Sequence, residues 1–158
     1  MLPPGDIRYV ALDVDADNVE FVEPYLRSWA ADRPASASAG DTLEIECSDR
    51  RVELEAVAAE AVAYAERAAG GFDAIVGAAL LDVLGADELD TLLCALAPGG
   101  LCYFPITFDG GTRFRPSHPA DPEIERYYHE HMDAKPGGSS RAGGDVLERL
   151  RAIDDARI

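Results

Sequence analysis

The chain of 158 residues is almost without lysine: Lys135 stands alone, and every other basic side chain is arginine. Acidic residues outnumber basic ones so far that the formal charge is −16. A phosphate backbone or an anionic bilayer needs a basic surface, so this balance excludes general affinity for DNA, RNA or acidic membranes. The acidity itself fits two origins, adaptation to high salt or a GC-rich genome, and neither identifies a reaction. No apolar run approaches the roughly 20 residues of a membrane span. The N-terminal MLPPGDIRYV carries no basic stretch leading into an apolar core, so it does not read as a secretory signal. These absences make a cytoplasmic protein the expectation. Only three cysteines occur, Cys47, Cys94 and Cys102, far apart and without a CxxC pair. Their apolar settings predict buried free thiols rather than a disulfide or a zinc site. Also missing are a Walker loop, a GxSxG elbow and a zinc-ligand pattern.

What remains is an ordinary globular composition, 47 % hydrophobic, with enough length for one domain around a core. The most informative stretch runs from Phe72 to Phe104. It reads as a short apolar strand (FDAIVG), an amphipathic helix over Asp87–Ala97, a Pro98-Gly99-Gly100 stop, and a second apolar strand from Leu101 to Phe108. A helical crossover between two such strands predicts a parallel pair. Upstream, Arg8–Val14 (RYVALDV) is rich in β-branched and aromatic residues and reads as a strand. Asp15 or Asp17 then caps a helix whose Val19, Val22, Leu26 and Trp29 share one face, with Pro24 inside it or near its start. Arg33–Asp41 (RPASASAGD) reads as a surface loop. Leu43–Cys47 and the apolar-acidic alternation of 51–58 read as a hairpin across Ser48-Asp49-Arg50, the latter at a sheet edge. A short helix over Ala59–Ala69 ending at Gly70-Gly71 follows, with one long helix over 51–69 as the alternative. After Asp109 the texture changes to a Gly/Pro-rich loop, a helix over Pro122–Asp133, a second loop (KPGGSSRAGG) and a final amphipathic helix over Asp145–Ile153. The sum is α/β with a mainly parallel sheet, in a single domain over 1–158 with a loop-helix insert at about 109–144.

This ordering resembles the class I S-adenosylmethionine-dependent methyltransferases. YVALDVD is similar to the family's second strand, whose terminal acid binds the ribose hydroxyls, which points to Asp13. AVAAEAVAY resembles the end of the third strand, where a polar residue lies beside the adenine, which points to Glu60. FDAIVGAALLDVL is similar to the fourth strand and its loop near the methionine part of the cofactor, which points to Gly77, Ala78 and Ala79. LLCALAPGGLCYF resembles the helix, turn and fifth strand. The likeness covers roughly residues 8–108 and implies a Rossmann-like three-layer sandwich, S-adenosylmethionine as cofactor and a small-molecule methyl acceptor. The family also begins with a strand and a GxGxG-type loop, whose place before Arg8 holds only MLPPGDI, and closes with strands for which no sequence follows the last helix. The resemblance is therefore to a truncated version of the fold, whose enzymatic activity as it stands is an open question. The missing strand is the one between the family's second and fourth.

The candidate residues each carry a plainer reading. Asp13 can accept two hydrogen bonds from a diol, or cap the following helix. Glu60 can face the adenine, or water. For the substrate, Asp82, Asp109, Arg113, Tyr128, His129 and Arg141 are candidates. Asp82 and Asp109 follow strand ends, and Arg113 and Arg141 can hold an anion. Tyr128 and His129 belong to the insert helix, where a histidine base is conceivable. The competing readings are a helix cap for Asp82, loop surface for Asp109 and Arg113, packing for Tyr128 and linker for Arg141. His129 and His131 lie two positions apart on different helix faces, so no metal site is assigned. The rival to an enzyme is a non-catalytic α/β fragment or binding protein that dimerises through strand edges exposed by the missing strand.

Overall fold

A computed structural model describes residues 5–40, 42–105, 108–153 and 157. The molecule is α/β, with a four-stranded mixed sheet and a separate two-stranded parallel one. It divides into two compact units, Met1–Tyr64 and Ala65–Ile158. A single mainly parallel sheet, as in a three-layer sandwich, is not what forms.

In the first unit, β1 (Gly5–Asp13) leads into α1 (Ala16–Ala31), followed by β2 (Ala35–Ala39), β3 (Leu43–Cys47) and β4 (Arg50–Ala58). The sheet order is β1-β4-β3-β2, with β1 and β4 parallel and the other pairs antiparallel. The period-2 pattern dictates which face is buried. Leu43, Ile45 and Leu54 form the core, and Val22, Leu26 and Trp29 of α1 pack onto it with Ala37, Val52 and Ala56. On the opposite face Glu44 accepts from Arg51 at 2.5 Å, and Arg8 pairs with Glu55 at 3.3 Å. The β3–β4 hairpin turns through Ser48, which adopts a φ of 53°.

Three expectations are corrected in this unit. The segment 33–41 is not simply loop, because Ala35–Ala39 pairs along β3 as an edge strand. Its Ser/Ala alternation places Ala37 against the core and leaves Ser36 and Ser38 exposed. Residues 51–58 are consequently not at an edge, since β4 is flanked by β1 and β3. The long-helix alternative for 51–69 is also excluded, and helix α2 is confined to Ala61–Ala65.

In the second unit, β5 (Phe72–Val76) and β6 (Leu96–Tyr103) run parallel. A 3₁₀ turn at Leu81–Val83 and helix α3 (Ala86–Cys94) connect them. Glu88 reaches back to accept from the Gly85 N–H at 2.6 Å, which fixes the start of α3. Leu89, Leu92 and Ala95 are fully buried. The helix ends earlier than Ala97, and Pro98-Gly99-Gly100 is not its stop. The Phe72 N–H bonds the Ala95 carbonyl and that of Gly70 the Cys94 carbonyl, so pairing with β5 captures the chain from there. Pro98-Gly99-Gly100 lie in a register irregularity inside β6, with Gly99 at φ 80°. The expected strand to Phe108 ends at Tyr103, and its residues 106 and 107 lie outside the described residues.

Helices α4 (Asp121–Asp133) and α5 (Ala142–Arg151) complete the unit. Arg149 holds Asp90 of α3 through two hydrogen bonds, Nε to Oδ1 at 2.7 Å and Nη2 to Oδ2. Helix α5 begins three residues before Asp145 and includes Gly143 and Gly144. A Cβ at Gly143 would sit 3.1 Å from the Cβ of Asp109, so glycine lets that side chain pack closely against the first turn. Of the thiols, Cys94 is exposed rather than buried, while burial pushes that of Cys102 up in pKa.

Candidate functional site

Asp13 ends β1 and is bound to the start of α1. Its Oδ1 accepts from the Asp15 N–H at 2.9 Å, and its Oδ2 from the Asn18 side-chain amide at 3.1 Å. Asp15 is the N-cap, accepting from the Asp17 N–H at 3.0 Å. Each Asp13 oxygen keeps a second lone pair, and the residue is half-exposed. The helix-start role and a role toward a diol are therefore chemically compatible. Glu60 is exposed before α2, and its carbonyl accepts from the Tyr64 N–H.

In the second unit, Gly77 and Ala78 follow β5. Gly77 is buried, and a Cβ there would meet Leu80 Cδ2 at 2.7 Å and the Phe104 ring at 3.0 Å. Its lack of a side chain lets Leu80 and Phe104 pack close to the backbone there. Ala78 is exposed. The next residue, Ala79, adopts a φ of 51° and is anchored by its N–H to the Pro105 carbonyl at 3.0 Å. A left-handed alanine costs about 1 kcal/mol or more and persists only where surroundings impose it. The loop at the carboxyl end of β5 is thus held in a strained shape.

The acidic candidates Asp82 and Asp109 are committed to local architecture. Asp82 accepts from the Phe108 N–H at 2.7 Å, and its carbonyl accepts from the Ser139 N–H at 3.3 Å. Asp109 packs beside the first turn of α5. Arg141 occupies the N-cap position of α5, its N–H donating to Ser139 Oγ at 3.0 Å. Arg113 is exposed on the loop.

On α4, Tyr128 and His129 pack against Phe108, and His129 lines a groove. The Phe108 ring meets Tyr128 edge-on at 5.7 Å and His129 at 5.4 Å. Beside them an open groove of about 400 Å³ is lined by Gly110, Pro122, Glu125, Arg126, His129, Glu130 and Asp133. Glu125, His129 and Asp133 recur every fourth residue and so share one helix face. Both outer carboxylates are pinned from the facing loops. The Thr112 N–H donates to Glu125 Oε1 at 2.9 Å, and the Ser140 N–H donates to Asp133 Oδ1 at 2.7 Å. Ser140 Oγ adds a bond to Asp133 Oδ2 at 3.2 Å. These two bonds, the backbone one foremost, hold the Asp133 carboxyl below its usual range, with His129 adding to the effect. His129 Nε2 lies 4.0 Å from Glu125 Oε1, buried and without a hydrogen-bond partner among the described residues. Sequence reasoning found Tyr128 and His129, weighed Asp133 only as part of a metal-like cluster that it set aside, read Ser140 as linker, and missed Glu125. The acid–His–acid spacing on one predicted helix was the available signal.

Among the described residues no three or more His, Cys, Asp or Glu side chains are arranged to hold a metal, and no helix is long and apolar enough to cross a membrane. No family model, no curated protein and no solved structure matches the chain.

Proposed function

We propose that the chain is methyltransferase-like, binding S-adenosylmethionine and serving a small-molecule methyl acceptor. The observation that carries this reading is the pairing of parallel strands. β1 lies beside β4, and β5 beside β6. These are the neighbours expected if the four strands correspond to the second, third, fourth and fifth of that family. Asp13 supports it further, because its carboxylate stands at a strand's carboxyl end with lone pairs to spare, where α/β sheets bind ligands. Glu60 is the adenine-side candidate. Gly77 fits the reading less well, being filled in by Leu80 and Phe104, so the neighbouring Ala78–Ala79 loop is the better candidate for the methionine end.

The cofactor would supply an electrophilic sulfonium methyl, for whose in-line displacement positioning is the main requirement. Calorimetric titration with S-adenosylmethionine and S-adenosylhomocysteine tests the reading. Binding of both, weakened at least tenfold by Asp13→Asn, supports it; no binding of either overturns it.

A second reading is favoured by one observation. Along its nine residues β1 has β4 as its sole strand neighbour among the described residues, and a long open edge is a template for pairing. A binding protein that dimerises through this edge would sediment as a dimer and ignore both cofactor forms.

A further inference from the structure

We propose that the outer face of α4 is self-complementary and that two copies of the chain associate through it, helix against antiparallel helix. The inference needs neither a cofactor nor the β1 edge. One side of α4 is turned inward, where Met132 is buried and Glu125 and His129 are half-buried. The other side is open. Ile124, Tyr127 and Tyr128 are 49, 57 and 47 % exposed, and His131 is exposed as well. At 3.6 residues per turn, Asp121, Ile124, Tyr127, Tyr128 and His131 fall within an arc of about 120°. The Lys135 N–H bonds the Met132 carbonyl at 3.1 Å. The backbone therefore still follows a helical path there, and the single lysine of the chain continues the same stripe.

The occupant follows from the order of chemistry along the stripe. An acid stands at its N-terminal end, an aliphatic and two aromatic side chains fill its middle, and a base stands at its C-terminal end. Turned about a two-fold axis between Tyr127 and Tyr128, the stripe meets itself with opposite charges at both ends. Tyr127 then lies against the partner's Tyr128, Ile124 against the partner's His131, and Asp121 against the partner's Lys135. Each pair occurs twice, as an isologous interface requires. A parallel copy would set like ends together, and a foreign helix of one charge sign would suit only one end. The central rings are held before association. The Arg126 guanidinium, paired with Glu130 at 2.6 Å, lies over the Tyr127 ring at 4.2 Å, and Phe108 meets Tyr128 edge-on at 5.7 Å. Such preorganisation lowers the cost of ordering on contact. A helix face about 20 Å long covers less than the roughly 800 Å² per partner of a standard interface. The association is therefore expected to be weak, with a Kd in the micromolar range.

The test is sedimentation equilibrium of the full chain from about 5 to about 500 µM in about 0.15 M salt, where a Debye length of about 8 Å screens charges away from the contact. The expected result is a monomer–dimer equilibrium. Asp121→Lys and Lys135→Glu should each weaken it by about tenfold or more, because each sets two like-charge pairs across the axis. General repulsion between acidic chains predicts the opposite for Asp121→Lys, which makes the chain less negative. An equimolar mixture of the two variants should regain nearly the wild-type affinity, because both end pairs of the mixed dimer are again of opposite sign. Asp121→Lys also removes the bond that Asp121 accepts from the His118 N–H at 2.8 Å. The mixture is therefore the decisive readout, since local damage is not repaired by mixing. A chain that stays monomeric throughout the range overturns the proposal. So does a dimer that neither variant weakens, which would leave the contact to the β1 edge, or a mixture no tighter than either variant alone.

Discussion

Replacing Asp13 separates its structural work from any role toward a ligand. The carboxylate accepts two hydrogen bonds, from the Asp15 N–H and from the Asn18 amide, both near the surface. Asp13→Ala removes both. At about 0.5–1.5 kcal/mol for a typical bond, reduced because water can replace the lost partners, the cost is about 1 kcal/mol. Asp13→Asn keeps an oxygen for the Asp15 N–H. Its new amide would face the Asn18 amide donor to donor, but a flip of Asn18 presents its oxygen instead, so the loss falls to a few tenths. Trp29, the single tryptophan, packs on the core of this same unit, so its fluorescence reports unfolding there. With a urea slope of about 1 kcal/mol/M for so small a unit, Asp13→Ala should lower the midpoint by about 1 M and Asp13→Asn by much less. For cofactor binding the order differs. Both variants should lose affinity, because a ribose diol is held by charge-assisted bonds that Asn makes weakly. Equal midpoints for wild type and Asp13→Ala would refute the claim that Asp13 anchors α1.

Three further outcomes follow from the packing and the charges. Leu89→Ala empties a site only 2 % exposed and should cost about 3 kcal/mol, read by thermal unfolding of the second unit. Gly77→Ala forces a methyl to within 2.7 Å of Leu80 Cδ2 and should destabilise by about 1–2 kcal/mol; unchanged stability would show that the glycine is not there for packing. The Asp133 carboxyl is held below its usual range by Ser140, so its folded pKa is the lower one. Its contribution is fully present above the ordinary carboxylate pKa of about 4 and fades as pH falls through the depressed value. Melting temperature against pH should therefore drop less steeply below about pH 4 in Asp133→Asn than in wild type.

Much of the element order was legible because it depends on local pattern. The alternation in LEIEC and VELEAVA, the Val22–Leu26–Trp29 face and an aspartate cap at Asp15 or Asp17 each specify their own conformation within a few residues, and Asp15 proves to be the cap. Strand β2 was not legible, since ASASA carries little apolar signal and becomes a strand only when β3 offers it a ladder. The end of α3 was misplaced for the same reason. Helical periodicity continues through Leu96, but β5 claims the backbone from Ala95 onward. Among the site residues, Asp82 and Asp109 stood at strand ends, where ligands gather. Their actual partners, the Phe108 N–H and the glycines of α5, are distant or unremarkable in sequence and could not be foreseen.

The sequence by itself determined the α/β class, the acidic surface, the parallel pairing around α3 and the cap of α1. Each of these follows from composition or from a period of 2 or 3.6 residues, which needs no knowledge of distant neighbours. Tertiary structure alone decided that the strands fall into two sheets rather than one, that β4 is interior, and that Glu125, His129 and Asp133 line an open groove with the two outer carboxylates held by the Thr112 and Ser140 N–H groups. Those outcomes depend on which backbone donors and apolar faces meet across long loops, and that meeting is settled only when the whole chain packs.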